Sequence, residues 1–259
     1  MKLLKAIVGL VALSFSLLSL ADATGPNKVY IEQIGNTNTI TIEQVGGTNN
    51  VGGVAGTATV ANTGVTTQSP TAPSNSNYAT ISGSSNQVNI NQQGTADSAQ
   101  YNIKGNNNAY TTAVTGNNNQ TKLTMGSTNT NTLRSTVTET ILGNSNLILQ
   151  NVVGNDINST TSITGNSNQL TSDLSSTNGT QIQTVIGNSN VINAQQIDVA
   201  GANGHYLKNV ITGDYNSITT QQQGTNDTSI DIATTGDHNT ITVRTSSSTI
   251  LNPATAIAR

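Results

Sequence analysis

Glycine recurs at intervals of eleven residues along much of this chain of 259 residues. Gly83, Gly94, Gly105 and Gly116 follow one another at this interval, and in most units an asparagine stands three residues after the glycine. Glycine and asparagine both tolerate positive φ, so G-x-x-N predicts a tight turn in each unit. Repeats of this kind are typical of solenoids, in which each unit packs only against its neighbours. The predicted turn glycines are Gly35, Gly46, Gly94, Gly105, Gly116, Gly143, Gly154, Gly165, Gly187, Gly213, Gly224 and Gly236.

Between the turns the residues alternate with a period of two, as in β-strands. Asn38, Ile40, Ile42 and Gln44 would share one face of such a strand, and the other face is rich in threonine. A short strand cannot bury a face alone, so we predict an all-β β-solenoid of about eight coils, with two strands in each coil of about 22 residues. Inner amides would bond to identical amides of the neighbouring coils. The residues predicted to mark the inner face are Ile90, Ile148 and Ile218.

The repeat is interrupted in ways that divide the chain. Residues 26–50 form a first strand pair, and residues 51–80 are a loop or linker rich in Gly, Thr, Pro and Ser. That segment either hangs from the solenoid or separates the first strand pair from the rest. Residues 81–245 are the predicted solenoid domain, and 246–259 lose the pattern as a C-terminal cap or tail.

The first 23 residues have the pattern of a secretory signal peptide. Lys2 and Lys5 precede an apolar run over 6–20, and Ala21-Asp22-Ala23 provides an A-x-A cleavage site. The apolar run is short for a membrane helix, which needs about 20 residues. We therefore expect a secreted, extracellular protein, at the cell surface or in a fibre, without a membrane span after cleavage.

The composition argues against catalysis. The chain has no Cys and two His, and only 8% of its residues are charged. It therefore offers little for nucleophilic, acid–base or metal chemistry, and we expect no enzyme, no cofactor and no metal site. A net charge of −3 also argues against a nucleic-acid partner. Thr and Asn are abundant instead, at 43 and 37 residues.

One unit carries a recognisable motif. Residues 33–38 read Gln-Ile-Gly-Asn-Thr-Asn and are followed by Gln44, which gives Q-x-G-x-x-N-x5-Q. This pattern resembles the curlin repeat of curli, the secreted amyloid fibres of bacterial biofilms. The resemblance implies a β-solenoid whose inner Gln and Asn form ladders and which polymerises by end-on stacking. The ladder and self-assembly candidates that it implies are Gln33, Asn38, Gln44, Asn49, Asn86, Gln92, Asn216 and Gln222.

The chain departs from that pattern in several units, where an aliphatic residue replaces the second glutamine. These residues are Ile103, Val114, Val152, Ile163, Val185 and Ile211.

Three functions are compatible with the sequence. The leading one is a structural subunit of an extracellular amyloid-type fibre that contributes to adhesion, with itself or related subunits as partners. The alternative is a monomeric or virion-attached adhesin that binds a cell-surface receptor. An ice-binding solenoid is a distant third, because Gln87, Asn89, Gln100 and Lys104 are expected to interrupt the outward threonine rows.

Overall fold

A computed structural model describes residues 27–52, 54–55, 66–67, 79–126, 131–198, 206–213, 216–224, 229–236, 238–246 and 254–257. The predicted signal peptide, residues 1–23, lies outside these ranges. Within them the chain forms two long parallel sheets and one short antiparallel pair, and none of the described residues forms a helix that could span a membrane.

The strands of the twelve-stranded sheet are β1 (Lys28–Val29), β2 (Ile31–Ile34), β4 (Asn50–Val51), β7 (Ala79–Ser82), β9 (Ser98–Asn106), β11 (Gln120–Met125), β12 (Thr132–Leu133), β14 (Leu147–Asn155), β16 (Gln169–Thr177), β18 (Val191–Asp198), β20 (Ser217–Gly224) and β22 (Thr240–Ser246). Those of the nine-stranded sheet are β3 (Thr39–Val45), β8 (Gln87–Thr95), β10 (Ala109–Asn117), β13 (Thr136–Leu142), β15 (Asn158–Thr164), β17 (Thr180–Ile186), β19 (Tyr206–Thr212), β21 (Ser229–Thr235) and β23 (Ala254–Ile257). The antiparallel pair is β5 (Val54–Ala55) and β6 (Thr66–Thr67).

The chain alternates between the two long sheets, so that each strand pairs in parallel with the strand one coil further along. The result is a β-solenoid of about seven turns spaced about 23 residues apart. The predicted fold class is therefore confirmed, close to the expected eight coils of about 22 residues.

The inner faces of the two sheets meet in a thin core. Ile90 and Ile148 are fully buried and Ile218 is 1% exposed, as predicted. Buried aliphatic side chains fill two clusters along the axis, one around Ile90 and one around Ile163. Between these apolar residues lie Asn, Gln, Thr and Ser side chains that are equally buried.

Most of the described turns contain two residues with positive φ, and the second is not the one predicted. Gly94 has φ of 150°, and a Cβ there would lie 1.6 Å from the carbonyl oxygen of Gly116 in the next coil, so only glycine fits. The second is the residue before the asparagine, such as Asn118 at 57° before Asn119, whereas the prediction gave this role to the asparagine itself. Gly224, the last residue of β20, is not among the glycines with positive φ that the structure gives. The predicted turn glycines with positive φ are Gly35, Gly46, Gly94, Gly105, Gly116, Gly143, Gly154, Gly165, Gly187, Gly213 and Gly236.

Residues 53–78 interrupt a strand without disturbing its register. Val29 pairs with Val51 and Ile31 pairs with Ala79, so the single residue between them, Tyr30, lies opposite Gly52. A Cβ on Gly52 would lie only 2.7 Å from the backbone nitrogen of Ala79. The segment is therefore inserted between adjacent register positions of one strand, and the first strand pair belongs to the same solenoid.

Two other regions also interrupt the repeat, namely residues 127–131 and the C-terminal tail. Met125 pairs with Ile103 and Thr132 pairs with Gly105, so residues 127–131 are an insertion within a second strand of the same sheet. The predicted C-terminal tail contributes β23, which pairs with β21. The solenoid thus begins with a strand of the twelve-stranded sheet and ends with a strand of the nine-stranded sheet.

We predict that a variant lacking residues 53–78 folds into the same solenoid. Joining Gly52 directly to Ala79 keeps every ladder partner and removes the entropy of closing a long loop. Circular dichroism and thermal melting should show unchanged β signal and stability at least equal to that of the full chain. Deleting eleven residues within 158–179 is the control, because it moves all later strands to the wrong sheet and should abolish folding. Loss of the β signal in the first variant would contradict the prediction.

Candidate functional site

Asparagine side chains of successive coils form a hydrogen-bonded column, which we call the long asparagine ladder. It runs along the corner of the solenoid that immediately precedes each strand of the twelve-stranded sheet. In a typical rung, Asn168 Oδ1 accepts hydrogen bonds from the backbone N–H and Nδ2 of Asn190, at 3.0 and 2.9 Å. Asn168 Nδ2 donates to Asn146 Oδ1 at 3.1 Å and to the carbonyl oxygen of Gly187 at 2.8 Å. Every polar atom of this buried amide is therefore satisfied. The rungs are Asn27, Asn49, Asp97, Asn119, Asn146, Asn168, Asn190, Asn216 and Asn239.

The short asparagine ladder lies at the opposite corner, before the strands of the nine-stranded sheet. Asn38 Oδ1 accepts from Asn86, and Asn86 Oδ1 accepts from Asn108, through both backbone and side-chain donors. Ser135 continues the column with its hydroxyl oxygen, which accepts from the backbone N–H of Ile157 at 3.1 Å. The amide ladder at this corner is therefore confined to the early coils.

The glutamine candidates occupy different positions. Gln44 Nε2 donates to Gln92 Oε1 at 2.8 Å, so these two form one rung of a buried glutamine ladder. Gln33 lies opposite Ile81 and has no glutamine as its register neighbour. Gln222 pairs through its backbone with Gln196 and Thr245, and its side chain lies outside the described part of the structure.

A third ladder, which the sequence did not predict, lies on the surface of the turns. Asn117, Asn144, Asn166 and Asn188 each follow a turn glycine. The side-chain oxygen of each of the last three accepts from the backbone N–H and Nδ2 of the rung before it. The signal was present in the recurring Gly-Asn pair, but periodicity alone does not show that this side chain points along the axis.

Asp97 is an acidic residue in a slot that otherwise holds asparagine. Its Oδ1 accepts from the backbone N–H and Nδ2 of Asn119, at 2.9 and 3.1 Å. Its Oδ2 takes the place of the amide nitrogen, is buried, and has no hydrogen-bond partner in the described structure. In neighbouring rungs that position donates to carbonyl oxygens, so Asp97 completes the ladder only when it carries a proton. Burial raises its pKa from 3.8 to about 6.

A second buried acid lies in the core itself. Glu139 is fully buried on the inner face of β13, and its Oε2 accepts a hydrogen bond of 2.8 Å from the hydroxyl of Tyr110. Burial raises the pKa of Glu139 from 4.5 to about 7. Tyr101 packs edge-on against Tyr110 with ring centroids 6.1 Å apart. The period of two predicts that Glu139 faces inward, but it does not predict that Tyr110 is its partner.

The two ends of the solenoid are less well covered than its middle. At the N-terminal end, Val29 and Ile31 face inward but are only partly buried. At the C-terminal end, Ile241 and Val243 are partly buried in the same way. Central inner residues such as Ile163 are fully buried. The ends are also sheet edges, whose unpaired N–H and C=O groups can template a further strand.

The two histidines of the chain are His205 and His238. His238 is an exposed turn residue with φ of 59°, and His205 lies outside the described residues. Comparison of the chain with protein-family models, curated proteins and solved structures gave no match. The candidate site therefore consists of the ladders and the two ends that they connect.

We predict that Asn168→Ala lowers the free energy of unfolding by about 3 kcal/mol, because several buried donors and acceptors lose their partner. Asn166→Ala is the matched control on the surface ladder, and it should change stability by less than about 1 kcal/mol because water replaces the lost bonds. Denaturant unfolding measures both values. Equal effects at the two positions would contradict the assigned role of the buried ladder.

We predict that Asp97→Asn stabilises the protein at pH 7 by about 1–3 kcal/mol and has little effect at pH 4. The folded-state pKa of about 6 exceeds the ordinary 3.8, so the native state holds the proton that the unfolded state releases. The contribution of Asp97 to stability therefore falls as pH rises from about 4 to 6 and is flat above that. Unfolding of both proteins at pH 4 and pH 7 measures the difference. The same stabilisation at both pH values would contradict this assignment.

Proposed function

We propose that the chain is a subunit of an extracellular amyloid-type fibre that grows by head-to-tail stacking of solenoids. The observation that carries the proposal is the complementarity of the two ends of the described solenoid. The resemblance of residues 33–44 to the curlin repeat supports it, and the predicted signal peptide would deliver the chain outside the cell. Such a fibre would contribute to surface adhesion.

The long asparagine ladder fixes the register of stacking. Asn27 and Asn239 are its first and last rungs among the described residues. Placing Asn27 of one copy over Asn239 of another continues the ladder across the junction. This alignment places β1 and β2 of the second copy beside β22 of the first. The strands run parallel, as they do in all the strand pairs within the sheet.

In that register, apolar side chains meet apolar side chains. Val29 lies over Ile241, and Ile31 lies over Val243, so the four partly buried residues cover one another. Their burial would add the hydrophobic contribution that the isolated ends lack. A slip of one residue would turn these side chains to the outer face, so the alignment is strongly specified.

The same register pairs opposite charges. Glu32 of the second copy falls opposite Arg244 of the first, each five positions after its asparagine rung. Opposite charges directly across a strand pair are stabilising. The nine-stranded sheet also continues across the junction, because β23 of the first copy then lies beside β3 of the second. A head-to-tail contact between unlike ends does not close on itself and therefore produces a filament.

We predict that Glu32→Arg and Arg244→Glu each slow fibre growth when tested alone. Each places like charges opposite one another, a change of about 1–2 kcal/mol per contact, which corresponds to about tenfold weaker association. An equimolar mixture of the two variants should grow normally, because alternating copies restore opposite charges at every junction. Amyloid-dye fluorescence and electron microscopy of the mature protein follow growth.

Lys104→Glu, in an internal coil, is the control and should grow like the wild type. Failure of the wild-type protein to form fibres over days at high concentration would overturn the proposed function. Normal fibres from both single variants would overturn only the register. The adhesin alternative would then be tested by binding of the monomer to cells.

A further inference from the structure

The two outer faces of the solenoid differ in chemistry. Over residues 109–115 of β10 and over β13, β15 and β17, nine of the sixteen outward positions are threonine and none is charged. We call this four-stranded area the threonine face. Over the strands of the other sheet in the same coils, the outward positions include Lys104, Lys122 and Asp173. Alternation alone gives no reason for this difference between the sheets.

The four residues that were expected to interrupt the outward threonine rows do not lie on the threonine face. Gln100 and Lys104 lie in β9, in the twelve-stranded sheet, and so are not on the threonine face. Gln87 and Asn89 lie in β8, which borders the face on one side. On the other side the ion pair of Lys208 and Asp231, at 3.8 Å, lies beyond the border. No outward residue of the four strands between these borders is charged, but Leu142, Asn158, Ile182 and Ile186 break the threonine rows.

The threonine face presents its side chains at two fixed spacings. Parallel register holds neighbouring strands about 4.8 Å apart, and alternate residues of a strand lie about 6.6 Å apart. Threonine is branched at Cβ, so its χ1 is restricted and its methyl and hydroxyl groups are held in place. The in-register rows at the centre of the face are Thr111–Thr138–Thr160 and Thr140–Ser162–Thr184.

This chemistry is poor for most macromolecular partners. Protein interfaces depend on buried Trp, Tyr and Arg anchors, and the threonine face has none. Nucleic acids and anionic membranes need clustered Lys or Arg, which are also absent from it. The threonine face is a neutral, regularly spaced array of methyl and hydroxyl groups. A partner that matches it is a surface that is itself regularly spaced. The oxygen spacing along one axis of ice is close to the strand spacing.

We propose that the threonine face binds ice. Its hydroxyl groups would hydrogen-bond to water molecules at lattice positions, and its methyl groups would lie between them. This activity goes beyond the proposed fibre and needs only the monomer. Stacking of copies would repeat the face once in each copy along the fibre.

The test uses freshly purified monomeric mature protein, measured for thermal hysteresis and for inhibition of ice recrystallisation. Thr138→Lys places a strongly hydrated ammonium at the centre of the face and should raise the concentration needed for inhibition about tenfold. Thr124→Lys makes the same change on the outer face of β11 and should leave it unchanged. Circular dichroism confirms that each variant is folded, and Thr160→Lys replaces Thr138→Lys if the latter is not.

Wild-type activity that Thr138→Lys reduces and Thr124→Lys does not would support the proposal. A wild-type protein without thermal hysteresis or recrystallisation inhibition would overturn it, and so would equal effects of the two substitutions. Fibre growth is measured separately on the same preparations. The ice result can therefore fail without affecting the proposed fibre, and the reverse also holds.

Discussion

The hydrogen bonds between asparagine side chains of successive coils are the interactions on which the solenoid depends. A buried amide without partners would destabilise a core this thin, because its polar groups lose water and gain nothing. In the ladder, the Oδ1 of each asparagine accepts hydrogen bonds from the backbone N–H and the side-chain amide of the equivalent asparagine in the next coil. Asn146 Oδ1 accepts from Asn168 in this way. The ladder thus satisfies the buried asparagines at the corners, whereas inner positions such as Gln183 and Asn209 keep amide atoms without a hydrogen-bond partner in the described structure.

The ladder also explains how the chain tolerates insertions. Successive rungs are 22 residues apart in regular coils, but 48 apart across residues 53–78 and 27 apart across 127–131. The hydrogen bonds keep the same length in each case, near 3 Å. Each rung requires only that the asparagine arrive at the same corner. Extra residues therefore leave the coil from a strand and return to the adjacent register position.

Much of this architecture follows from local patterns, and the rest depends on contacts between coils. The inward position of Ile90 and the turn at Gly94 follow from a period of two within a period of eleven. Asp97 could also have been identified as a ladder rung, since it stands 22 residues before Asn119. The division of outward residues between the two sheets follows from two strands per coil, which place successive units in opposite sheets, but the period of two within a strand does not show it. Lys104 was therefore expected to interrupt the outward threonine rows, although it lies in the twelve-stranded sheet.

The direction of the ladders constrains any assembly built from them. Every Oδ1 in the long ladder accepts from the following coil, from Asn27 through to Asn216, and the short ladder has the same polarity. The C-terminal end therefore continues the ladder with the Oδ1 of Asn239 as acceptor, and the N-terminal end with the backbone N–H of Asn27 as donor. Two identical ends would place donors against donors or acceptors against acceptors. Only a head-to-tail junction continues the long ladder from one copy to the next, so a fibre built from this chain must be polar.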